Sequence, residues 1–198
     1  MPAAPVPLFE TDRFEAQKKM LKLVGGSFFL RDLNGRLLAY SKQKAFKLKE
    51  DIAVFEDEEM TRKLLQIQAD RILDYAASYS VVDAITNIKV GSLRRKGWTS
   101  VLRDSWEVLD AAGTVRGKVV EDNPALALIR RFIDFAGLFL PETFHIEYDG
   151  KTVGTMKQNF LGIPPKFTVD LTADVDRVFP RQLAVATVVL LLAIEGRQ

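Results

Sequence analysis

Leu183-Ala-Val-Ala-Thr-Val-Val-Leu-Leu-Leu-Ala-Ile194 decides the architecture, because it is apolar on every side. Pro180 precedes it as a helix start and Gly196 follows as a stop, so the sequence predicts a helix over about 181–195. A helix apolar all round either crosses a membrane or lies in a protein core. The run is twelve residues long, whereas a span needs about twenty. At about 1.5 Å per residue it covers only about 18 Å of a hydrocarbon layer roughly 30 Å thick. Burial inside the protein is therefore favoured over membrane insertion. The large side chains at 183, 185, 188 to 192 and 194 contribute on the order of 12–24 kcal/mol gross when fully buried. Ala184, Ala186 and Ala193 let neighbouring strands approach.

The rest of the chain has to surround this helix, and it is written in hairpins. Phe28-Phe-Leu-Arg-Asp32-Leu-Asn-Gly35-Arg-Leu37-Leu-Ala-Tyr40 is an alternating strand, a turn and a return strand. The same unit recurs over 79–91 around Asp83, over 106–117 around Asp110 and over 144–154 around Asp149-Gly150. A further strand pair reads Phe46-Lys-Leu48 and Ile52-Ala-Val54-Phe55, then the turn Glu56-Asp57-Glu58-Glu59, then Leu64-Leu65-Gln-Ile67. Asp bonds its own backbone and starts turns, and Gly supplies positive φ at no steric cost. Asp149-Gly150 is a strong two-residue hairpin signal. A Gly on the return strand marks a bulge or a close backbone approach. Roughly ten to twelve short strands fit such a meander, which curls into a barrel or splits into a sandwich. The all-round apolar helix favours the barrel. A second helix is predicted near 124–136, opened by Asn123-Pro124, with Gly137 as its stop.

Composition narrows the function. The chain has 198 residues, with 47% hydrophobic and 27% charged residues and a net charge of +2. That is enough for one domain with a sizeable core, and any basic site must be local. There is no cysteine and a single histidine, His145. This excludes disulfides, cysteine nucleophiles and cysteine-ligated metal, and no cofactor is expected. Met1 to Pro7 lacks the basic and apolar regions of a signal peptide. Residues 1–12 read as a short disordered lead to one domain over 13–198. A cytoplasmic location is expected, with the domain peripheral at a membrane.

The D-x-x-G hairpins, Phe46-Lys-Leu-Lys-Glu-Asp-Ile-Ala-Val54, Arg103-Asp-Ser-Trp106-Glu-Val-Leu-Asp110 and the terminal apolar helix together resemble the LURP-one-related proteins. The phospholipid scramblases and the Tubby C-terminal domain are more distant relatives. The resemblance covers about residues 14–195. It implies a twelve-stranded antiparallel barrel enclosing a central C-terminal helix, and no catalytic motif. It also implies a membrane connection, since scramblase-like proteins are linked to lipid movement and Tubby domains to phosphoinositide headgroups. This chain departs from scramblases in lacking a cysteine-rich palmitoylation segment and a long proline-rich N-terminal region, which argues against lipid scrambling.

Arg94, Arg95, Lys96 and Trp98, with Arg103 close by, are the candidate lipid-headgroup residues. Three cations and an aromatic at a turn suit an anionic phospholipid surface. Lys42, Lys44, Lys47 and Lys49 add to them if their strands neighbour. Each such cation contributes only about 1 kcal/mol, so specific binding needs more of the protein. Glu56 to Glu59 lacks the ligand spacing of a calcium loop, and no metal site is expected. His145 alternates away from Phe144 and Ile146 and reads as a surface histidine. No nucleophile elbow or phosphate loop is present. The expected role is non-catalytic binding of anionic phospholipid. A protein-interaction scaffold is the alternative, and a carrier of a small apolar ligand is less favoured because the helix fills the barrel. No nucleic-acid partner is expected.

Overall fold

A computed structural model of the chain describes residues 5–19, 27–42, 51–70, 77–95, 105–122, 142–159 and 166–195. A short helix α1 (Pro7–Glu10) leads into β1 (Arg13–Lys19), β2 (Ser27–Arg31), β3 (Leu37–Lys42) and β4 (Asp51–Phe55). Then come β5 (Lys63–Ala69), β6 (Ser78–Asp83), β7 (Ile88–Arg95) and β8 (Ser105–Asp110). β9 (Val115–Glu121), β10 (Thr143–Tyr148), β11 (Lys151–Asn159) and β12 (Lys166–Asp170) precede the C-terminal helix α2 (Arg181–Glu195). The strands pair antiparallel in chain order, and β1 closes the barrel against β12 from Arg13↔Asp170 to Gln17↔Lys166.

Period-two alternation makes the wall. Phe28 and Leu30, Phe144 and Ile146, and Phe167 and Val169 are buried, while the residues between them are only partly so. These inward rows meet α2, as the apolar run predicts. Leu183 to Ala186 and Val188 to Leu190 have no exposed surface. The one hydroxyl in that run, Thr187, donates to the Leu183 carbonyl at 2.7 Å, so no polar group is stranded.

Each hairpin bends at one place. Leu38, Leu64, Val90 and Arg116 are each skipped by the pairing register, at equal intervals along the chain, and Val153 repeats the device. These bulges tighten the strands around the helix. Gly91, Gly117 and Gly154 immediately follow three of them. At Gly117 an added Cβ would lie 2.1 Å from the Glu147 carbonyl oxygen, so only glycine lets β9 and β10 meet there. The Asp149-Gly150 turn has φ of 49° and 77°, the two positive values of a type I′ hairpin.

One expectation changes. Residues 5–12 do not belong to a disordered lead: Val6 and Leu8 are buried, and Leu8 has no exposed surface. They stay in place because α1 packs on α2 and β3. β1 and β12, which close the barrel, belong to none of the hairpins read from the sequence. The helix expected over 124–136, the strand Phe46-Lys-Leu48 and the stop at Gly196 lie outside the described residues.

The meander gives the barrel two unlike rims. One carries the short turns from β2 to β3, β4 to β5, β6 to β7, β8 to β9 and β10 to β11, together with α1 and the passage from β12 into α2. At the opposite rim end the strands joined by residues 20–26, 43–50, 71–76, 96–104, 123–141 and 160–165, which lie outside the described residues.

Candidate functional site

The turn rim is built by aspartates that cap their own turns. Asp32 Oδ1 accepts from the backbone N–H of Asn34 and Arg36, both at 2.9 Å. Asp110 Oδ1 does the same for Ala112 and Thr114, at 3.0 and 2.9 Å. Asp57 accepts from the Thr61 hydroxyl and N–H, bonds that hold its carboxyl below the ordinary value. Asp83 caps Ile85 and Thr86, and its other oxygen accepts from Gln182 Nε2 at 3.2 Å, tying a hairpin to α2. The recurring aspartates are therefore structural.

A buried latch fixes the start of α2 at the same rim. The Arg181 side chain is 5% exposed and that of Asp174 is 2% exposed. Arg181 donates to Asp174 Oδ2 at 2.5 Å, to the Phe179 carbonyl at 3.0 Å and to Asp12 Oδ1 at 2.8 Å. Asp174 also accepts from the N–H of Val178 and Phe179, each at 3.0 Å. Burial pushes the Asp174 carboxyl up, but the hydrogen bonds from Arg181 and the two N–H groups outweigh it, and the net shift is downward. Arg177 reaches Asp12 Oδ1 at 3.1 Å and the Phe9 carbonyl at 2.8 Å, drawing the N-terminal segment into the same knot. An arginine at a helix start opposes the helix dipole. Arg181 after Pro180 was the one signal in the sequence of a buried acid nearby.

The candidate headgroup residues divide. Arg94 points outward, its Nε and Nη2 both on Glu107 Oε2 at 2.8 and 2.5 Å. Arg95 follows it on β7, in register with the buried Trp106, so alternation turns it to the interior side at the opposite rim. Lys96, Trp98 and Arg103 lie outside the described residues, as do Lys44, Lys47 and Lys49. Lys42 is exposed at the end of β3, on the same rim as the end of β7. His145 lies outward with Nε2 3.2 Å from Asp122. In the acidic turn, Glu56 faces Arg62 and Glu58 faces Lys19. Among the described residues, no group of three or more His, Asp or Glu side chains could hold a metal ion.

Cross-strand ion pairs neutralise much of the barrel wall. Lys166 meets Glu15 at 2.6 Å, Lys118 meets Glu147 at 3.1 Å and Arg13 meets Asp170 at 2.9 Å. Arg116, a bulge residue, meets Asp149 at 2.6 Å and lies over the Tyr148 ring, so it stitches two hairpins together. Such pairs specify register more than they stabilise.

The closed twelve-stranded barrel around an apolar helix defines the class, and comparison places the chain within it. The family model for LURP-one-related proteins matches residues 37–191, so the chain belongs to the LURP-one-related family. A solved structure of an Arabidopsis thaliana protein is similar at 15% identity and a TM-score of 0.49, covering 93% of this chain and 92% of that one. Among curated proteins none matches. Among the described residues, no helix is long and apolar enough to cross a membrane.

Proposed function

We propose that this domain is non-catalytic and binds anionic phospholipid at a membrane surface, through the rim opposite the tight turns. One observation carries the reading: the strands joined by 43–50 and by 96–104 end on the same rim. Lys44, Lys47 and Lys49 belong to the first connection, and Lys96, Trp98 and Arg103 to the second. The two groups of cations, separate in sequence, thus belong to connections between strands that end on one rim, and β7 ends there with Arg95. Basic side chains with an interfacial tryptophan suit a negatively charged lipid surface. Arg94 leaves the set, because Glu107 holds it against the wall.

A ligand carrier has less support, since α2 fills the interior. The reading is tested by liposome cosedimentation of the chain and of Lys96→Glu/Arg103→Glu. The wild type should pellet with anionic but not neutral vesicles, less so in salt, and the variant should stay in the supernatant with its melting temperature unchanged. Equal pelleting of both proteins would remove this rim from lipid binding.

A further inference from the structure

Inside the rim opposite the turns, the barrel lining changes from apolar to polar. Along β11, Met156 and Gln158 both face inward, in register with Val169 and Phe167 of β12. Met156 has no exposed surface, whereas Gln158, the last inward residue before the connection 160–165, is 8% exposed. Glu121, 5% exposed, ends β9 on the same inward face, in register with Phe144. Two buried polar side chains therefore stand at this mouth, on either side of β10.

The Gln158 backbone is fixed, because its N–H donates to the Glu142 carbonyl at 2.7 Å. Its side chain is not matched in the same way. Oε1 is shielded from solvent and accepts no hydrogen bond among the described residues. A buried amide oxygen is costly without a donor, and nearly all such groups have one. The inward neighbours on the core side offer none: Phe144, Met156 and Phe167 carry no donor, and the two rings pack with centroids 6.3 Å apart. The donor has to come from the rim side.

We infer that this mouth sets headgroup specificity: it takes a phospholipid headgroup that carries its own hydroxyl or N–H donors, with Gln158 Oε1 accepting one of them. The inference rests on the lipid binding proposed for this rim. Charge alone brings any anionic lipid to a basic surface. A headgroup ending in a methyl group leaves Gln158 unmatched, whereas one ending in a hydroxyl satisfies it, and a site built to accept from a hydroxyl discriminates against the analogue that lacks it.

The test is cosedimentation of the full chain with neutral vesicles doped with equal fractions of phosphatidylglycerol or phosphatidylmethanol. These lipids carry the same charge and differ in their headgroup hydroxyls. The wild type should bind the phosphatidylglycerol vesicles about fivefold more tightly. Gln158→Met should bring that affinity down to the phosphatidylmethanol level, leave phosphatidylmethanol binding unchanged and not lower the melting temperature, since it removes an unmatched acceptor and keeps the side-chain length. Equal wild-type binding to the two vesicles would overturn the inference and leave lipid binding at the rim intact. A preference that survives in Gln158→Met would also overturn it. Pelleting with neither vesicle would remove the lipid reading and this inference together.

Discussion

The two rims of this barrel close the same strands by different chemistry. At the turn rim, short connections are capped by their own aspartates, and a buried ion-pair knot holds the start of α2. At the other rim the connections are longer and carry lysine, arginine and large apolar residues, as in Phe46-Lys-Leu-Lys49 and Lys96-Gly-Trp98. At the turn end, the capped turns and the buried ion pairs tie a hairpin and the N-terminal segment to the helix.

Breaking the holding end should be costly. Arg181→Met leaves Asp174 buried without its cation and should destabilise by about 3–5 kcal/mol in urea unfolding, whereas Lys96→Glu should change stability little. Pairing Arg181→Met with Asp174→Leu should recover much of the loss, because the isolated charge is gone. Leu190→Asp would place an unpaired charge at the centre of the same core and should prevent folding.

Smaller changes sharpen the contrast. Gly117→Ala forces a Cβ against the Glu147 carbonyl and should cost about 2–3 kcal/mol. Gly35 has φ of 84° but open space around it, so its alanine variant should cost about 1–2 kcal/mol from backbone strain alone. The carboxyl of Asp174 titrates below its unfolded value. Its contribution is therefore present above the unfolded pKa of about 3.9 and lost as pH falls through the lower folded value. Acid melting curves of the chain and of Asp174→Asn should converge in that range and separate above it. Met60 takes φ of 59° in a turn where Gly35 and Gly113 occupy the matching places, so Met60→Gly should stabilise by about 1 kcal/mol in thermal unfolding.

Local chemistry was legible in the sequence and distant pairing was not. The four Asp-centred hairpins and α2 follow from alternation, turn residues and an unbroken apolar run, all read within a few residues. The closure of β1 on β12 joins Arg13 to Asp170, and nothing near either residue announces the other. The latch joins Asp12 to Arg181 across a similar distance. Arg94 and Arg95 show the opposite error: adjacent in sequence, they read as one basic turn, but β7 continues through both and alternation puts them on opposite faces. The basic character of the Arg94–Lys96 stretch is legible. Its division between a wall-bound Arg94 and an inward Arg95 required the register.

The rim opposite the turns is proposed as the lipid-facing end. The most direct test is parallel cosedimentation, with anionic vesicles, of three proteins: the wild type, Lys96→Glu/Arg103→Glu, and the turn-rim variant Leu33→Ser/Ile88→Ser/Val175→Ser. Pelleting of the wild type and the turn-rim variant, with loss only on charge reversal, is the predicted result. Loss in the turn-rim variant, or equal pelleting of all three, would contradict it.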